Sequence, residues 1–235
     1  MTQQVIQQIY QHCEQLSPYL KAIATADVQP DAMPIRGSDS NLEVIKSLHH
    51  HLQQQAPEAG RSYWLTRSWD LLTWQPLYLA VTAIYQCQAL PNLQQMQQRH
   101  CAGVVAGFSF SCTACASGSI KQLVMQAGKQ LRAMFDHYRV ELDQSVRCRP
   151  KFTDALLADT LITRLLLLQQ THPEMSPEQL QQHIAWWLEA MSLSNDYLDT
   201  VRRNCANQLV LQRTSCCAVY KTASGSKCAN CPRLK

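Results

Sequence analysis

Nucleotide-binding signatures are missing from the 235 residues: glycines number only seven, and neither a G-x-G-x-x-G nor a phosphate-binding loop occurs. A bound nicotinamide or nucleotide is therefore not expected. The N-terminal stretch MTQQVIQQIYQHCEQ lacks a basic leader and an apolar block, so no secretory signal is expected. Charge is absent between Asp70 and Arg99. The twenty residues LLTWQPLYLAVTAIYQCQAL within that run carry Pro76, two threonines and three glutamines, which fits a buried core helix rather than a membrane span. Acid is absent from the other end. From Val201 to Lys235 there are seven basic residues and no Asp or Glu, which leaves the first two hundred residues at about −3 within a formal total of +4. A basic tail on a slightly acidic body calls for an anion close by.

The rest is periodic and mainly helical, and the length favours one domain with a short appendage. Val5, Ile9, Cys13 and Leu16 form the stripe of a first helix. Asn41 caps a second, with Leu42, Ile45, Leu48 and Leu52 inward. A third is expected from about Ser68 to Leu90, bent at Pro76 and stopped by Pro91. The clearest amphipathic pattern runs from Ile120 to Leu142. Another helix spans Phe152–Gln170, and SPEQ at Ser176–Gln179 reads as a capping box opening the next. A short helix is expected at Asn195–Arg203. GVVAGFSFS (Gly103–Ser111) and QLVLQRT (Gln208–Thr214) alternate like strands and are expected to pair. Val28–Ser40 and Gln54–Ser62 read as the least ordered stretches.

Eleven cysteines without an export signal point to core thiols, metal ligands or redox groups rather than a disulfide framework. Four of them, Cys216, Cys217, Cys228 and Cys231, lie within sixteen residues, a metal-site count. The C-x₂-C half is shared by zinc and iron–sulfur sites and decides little. The adjacent pair says more. Neighbouring side chains diverge on an extended backbone, so Cys216 and Cys217 fit one small tetrahedral ion only with strain. A [2Fe–2S] cluster takes ligands at both ends and accepts thiols that point apart. Its charge with four thiolates, about −2 oxidised and about −3 reduced, suits the basic surroundings. Zinc stays open as the alternative.

The segment LQRTSCCAVYKTASGSKCANCPRLK is similar to the C-terminus of the FhuF-type ferric-siderophore reductases, whose hallmark is C-C-x₁₀-C-x₂-C. Ser215, between Thr214 and Cys216, departs from the family's Arg-Thr spacing, and the likeness of the other 200 or so residues is only general. The periodicity gives a mainly α, helical, bundle-like body (residues 1–207) with a short two-stranded β element, and the resemblance adds a [2Fe–2S] segment (residues 208–235) packed on it. It implies four ligands, Cys216, Cys217, Cys228 and Cys231. It further implies one-electron reduction of Fe³⁺ held by a hydroxamate-type siderophore, in the cytoplasm and with inner-membrane association left open. Electrons would come from a separate donor such as a ferredoxin or a flavin reductase. Arg213 and Lys221 flank the first two ligands and are candidate substrate contacts. Trp64, Trp69 and Trp74 are candidates to line an approach, although helical Trp is more often core.

Two readings compete. A zinc knuckle would touch nucleic acid through the basic tail, but Tyr220 is the only aromatic there, so no nucleic acid is expected. A thiol redox protein would use CTAC (Cys112–Cys115), with Cys101 upstream. A structural role for those thiols is the expectation, as it is for Cys13 and Cys87 on apolar faces. Consecutive His49–His51 cannot converge on one ion and read as a solvated surface.

Overall fold

The computed structural model describes residues 2–24 and 31–234. Its architecture is mainly α. The helices are α1 (Thr2–Leu16), α2 (Leu42–Gln55), α3 (Gly60–Cys87), α4 (Ile120–Asp143), α5 (Pro150–Leu166), α6 (Leu168–Thr171) and α7 (Pro177–Ala190). The uncharged run explains the centre of the molecule. α3 touches α1, α2, α4 and α5, and from Leu71 to Tyr85 it buries residues on every side. A charge there would have no water to face. Among the described residues no helix is long and apolar enough to cross a membrane.

Pro76 does not interrupt α3. It cannot donate to the Leu72 carbonyl one turn earlier. The fully buried Gln98 supplies the missing donor, its Nε2 lying 2.9 Å from the Leu72 oxygen. Two helices begin as reciprocal capping boxes. Gln122 N–H and Gln179 N–H donate to Ser119 Oγ and Ser176 Oγ at 3.3 and 3.2 Å. The two glutamine side chains accept from the serine N–H groups at 2.9 and 2.8 Å. α4 and α7 meet at Gly128, where a Cβ would lie 2.3 Å from that of Ala190. Only a glycine allows that approach.

Among the described residues three small antiparallel sheets complete the body. β1 (Met33–Arg36), β3 (Met96–Cys101) and β4 (Val104–Phe110) form the first, with β3 central. β2 (Ala89–Pro91) pairs with β5 (Cys115–Ser117), and β6 (Val201–Arg203) with β7 (Leu209–Leu211). Strands therefore form within both alternating stretches, but they do not pair with each other. β4 pairs with β3 and β7 with β6.

Other expectations need correction. Gln54–Ser62 is ordered: α2 reaches Gln55, a 3₁₀ turn spans Pro57–Ala59, and α3 starts at Gly60. The third helix ends at Cys87, with Gln88 left-handed at φ 46°, before Pro91 can act. The stretch at Asn195–Arg203 is a 3₁₀ turn to Thr200 followed by β6. Within Val28–Ser40, residues 28–30 lie outside the described residues, while Met33–Arg36 is a strand. Asn41 sits at the start of α2 without capping it. Its side chain accepts from Arg36 N–H at 2.6 Å and donates to the Arg36 and Asp39 carbonyls, tying β1 to the helix. The histidine run is only partly solvated: His50 is exposed, but His49 is buried, with Nδ1 3.1 Å from Ser68 Oγ.

Candidate metal centre

Beyond β7 the chain meets a carboxylate. Asp159 of α5 is 1% exposed and takes the N–H groups of Thr214 and Ser215 at 3.1 and 2.7 Å, together with the Ser215 hydroxyl. Arg213 approaches the same carboxylate, Nε to Oδ2 3.7 Å. A buried carboxylate needs such donors, and these come from the three residues just before Cys216. The anchor fixes where the first thiol starts.

The chain then folds back on itself. Ala218 is left-handed at φ 57° and opens a 3₁₀ turn, Val219–Lys221. Gly225 lies so close to the Val219 carbonyl that a Cβ would overlap it. Lys221 donates to Ser62 Oγ at 2.6 Å, and Ala223 N–H to Glu58 Oε1 at 2.9 Å, two tethers to the body. The last pair closes a tight turn, Cys231 N–H donating to the Cys228 carbonyl at 3.0 Å. Lys227 Nζ donates to the Arg233 carbonyl, and the Arg233 guanidinium stands 5.8 Å from the Tyr220 ring centroid.

This path brings the four predicted ligands together as a row. Cys217 and Cys231 lie near enough to act on the Cys228 thiol, and Cys216 and Cys228 near enough to act on that of Cys231. Cys231 is buried and the other three half-buried. The row is not yet a cage. Among the described residues no group of three or more His, Cys, Asp or Glu side chains is placed to hold a metal ion, so holding a cluster requires these side chains to close in. The donor set fits a [2Fe–2S] centre: four soft sulfurs with no acid in the tail. Arg213 Nη1 already donates to Cys228 Sγ at 3.8 Å. The thiols differ in acidity. The Arg233 backbone N–H, then the Cys216 and Cys228 thiols and the Lys227 charge, hold Cys231 below the usual thiol range. Burial, then the neighbouring Cys217, push Cys228 up, with Arg213 opposing.

The adjacent cysteines line different hollows. Cys217 lines a cleft of about 220 Å³ with Trp69, Asp70, Tyr78, Asp159 and Arg213. Cys216 lines one of about 490 Å³ with Ser62, Phe152, Tyr220 and Lys221. Arg213 and Lys221 therefore border different hollows. Of the three candidate tryptophans only Trp69 lines the cleft beside Cys217. Trp64 donates to the Ala56 carbonyl at 2.8 Å, and Trp74 stacks edge-on against Tyr78. Asp159 and the Asp70–Arg67 pair, 2.5 Å apart, were missed by sequence reasoning, since an acid on a helix gives no signal of what it faces.

The other thiols stay apart from this centre. Cys112 is exposed, and Cys115 begins β5 opposite Pro91 in a short antiparallel pair, not in a βαβ unit. Burial, then Cys87 and Cys112, push the Cys115 thiol up, the reverse of an activated redox cysteine. Cys101 is half-buried in β3, Cys13 is buried on α1 and Cys87 half-buried at the end of α3.

No solved structure matches the chain. The family model described as FhuF 2Fe-2S C-terminal domain matches residues 213–233, which span the anchor and all four cysteines. The C-terminal segment is thus similar to the FhuF 2Fe-2S C-terminal domain, a [2Fe–2S]-binding domain.

Proposed function

We propose that the protein is a ferric-siderophore reductase in which Cys216, Cys217, Cys228 and Cys231 hold the [2Fe–2S] cluster. The observation that carries this reading is the row of four thiols, anchored through Asp159 and bordered by open hollows. When bound, the cluster supplies single electrons. The reading divides the chain into a helical body, residues 1–207, and a cluster-binding segment, residues 208–235.

The protein's own residues set up the rest. Arg213 and Lys227 offset negative charge on the sulfurs. In the cleft beside Cys217, Arg67 and Arg213 offer cationic donors, matching the oxygen-rich arms of a hydroxamate chelate. Lys221 serves the hollow beside Cys216 instead. The substrate needs little more. Ferric iron is a hard cation held by oxygens, ferrous iron is held far more weakly, and one electron turns a lasting complex into a labile one. The electron comes from a separate cytoplasmic donor, and a small acidic ferredoxin suits the basic tail.

Anaerobic protein reduced with dithionite and mixed with a ferric trihydroxamate tests this. The visible absorption should recover while a ferrous-specific chelator captures Fe²⁺. A cluster that stays reduced beside the intact ferric complex would refute the reductase reading. One zinc per chain with no acid-labile sulfide would refute the cluster assignment. A Cys112→Ser/Cys115→Ser double variant should keep both colour and reduction, and loss of either would move the chemistry to those thiols.

A further inference from the structure

The molecule satisfies its buried cations with carboxylates almost throughout. Arg132 reaches Asp136 and Asp154, each at 2.8 Å, and Arg213 has Asp159. Among the described residues Arg99, bonded to Ser109 Oγ at 3.3 Å, and Arg164 on α5 are exceptions, and Arg164 borders a cavity. Its Nε is buried without a hydrogen-bond partner. One Nη donates to Thr82 Oγ1 at 3.1 Å, and the guanidinium stands 5.1 Å from the Tyr78 ring centroid. The ionisable neighbours that act on it are Tyr78 and Cys13, neither of them a carboxylate. A half-buried guanidinium with only a hydroxyl and a ring face as partners is short of an anion.

Beside it, between α1, α3 and α6, lies a cavity of about 380 Å³, within the range of small-molecule sites. Among the described residues no Asp or Glu lines it. The nearby Glu14 pairs with Lys21 at 3.3 Å, and Glu174 pairs with His172 at 3.0 Å. Leu16, Val81, Leu167 and Leu168 supply apolar wall, and Gln86 adds an amide. None of the lining residues borders the hollows around Cys216 and Cys217, so the site is independent of the reductase reading.

We propose that this cavity binds a small organic carboxylate, its carboxylate on the Arg164 guanidinium and its apolar stem against the leucines. A planar guanidinium pairs both oxygens of a carboxylate. A single unmatched cation suits a monoanion, whereas a phosphate dianion would call for more positive charge than this wall carries. The aliphatic side selects a molecule with a stem over a bare ion.

Hexanoate titrated into the full-length protein by calorimetry tests the assignment, with hexanol and inorganic phosphate as comparison probes. Hexanoate should bind at least about tenfold more tightly than either probe. Arg164→Gln should weaken hexanoate about tenfold and leave hexanol unchanged. Leu167→Glu places a carboxylate at the rim from a residue already 38% exposed, and should weaken hexanoate comparably without relying on the Arg164 variant to fold. Hexanoate binding no better than hexanol, phosphate binding more tightly than hexanoate, or undiminished hexanoate binding in a folded Arg164 or Leu167 variant would each overturn the proposal.

Discussion

The body and the cysteine tail hold their shapes by different means. Around α3 the body packs a continuous core whose large members, among them Trp187, Tyr138 and Phe135, are at most 1% exposed. Among the described residues from Arg213 onward only Ser215, Ala218 and Cys231 are buried, and the described tail is held by the Asp159 anchor, two side-chain tethers and its own turns. The body's stability thus scales with apolar area, while the tail's rests on a few polar contacts and on whatever its thiols bind.

That contrast can be broken or sharpened by experiment. The largest effect should be all-or-none: Cys216→Ser or Cys231→Ser is expected to abolish the cluster's visible absorption and EPR signal while the body's urea midpoint barely moves. A midpoint that falls with the colour would join the two parts into one cooperative unit. Next, Trp187→Ala should cost the body about 3–5 kcal/mol in urea unfolding, because the side chain is fully buried and its N–H donates to the Tyr85 hydroxyl at 3.3 Å. Asp159→Ala should release the tail locally at a cost of about 3 kcal/mol, seen as faster amide exchange at Thr214 and Ser215 with α4 and α7 still protected.

The smallest expected effect is a pH dependence confined to the body. Burial, then the neighbouring His51, push His100 down to about 4 from an ordinary 6.5. Its Nε2 accepts the Gly103 N–H at 3.2 Å, so the fold holds it neutral. Between pH 6.5 and about 4 the unfolded chain therefore binds a proton that the folded chain refuses, and stability should fall by up to about 3 kcal/mol as pH drops. His100→Gln should reduce that slope, leaving the smaller part due to His49 and His183, which burial also pushes down. The tail carries no histidine, and Cys216-region exchange should show no matching change.

What was legible in the sequence follows the same division. Helices with one apolar face announced themselves: Leu180, Ile184, Trp187, Leu188 and Met191 are all at most 1% exposed, and SPEQ caps its helix as read. The thiol spacing was legible because sulfur ligands are rare and their count is informative. β3 was hidden. Its sequence MQQRHC alternates in burial, but Gln98 and His100 occupy inward positions, and their polarity masks the period. β1 was disguised by Pro34, tolerable because β1 is an edge strand. Asp159 gave no signal, since its task is defined only by segments more than fifty residues away.

The anchor's location has a consequence for how the protein matures. Asp159 belongs to α5 and is not part of the tail, so a chain whose helices have yet to assemble offers the thiol segment no mooring. Iron arriving early meets four scattered, competing sulfurs; iron arriving late meets a prearranged harbour. Quality control of the cofactor is thereby delegated to the helices, and a defect deep in the body should surface as a missing colour at the far end of the chain.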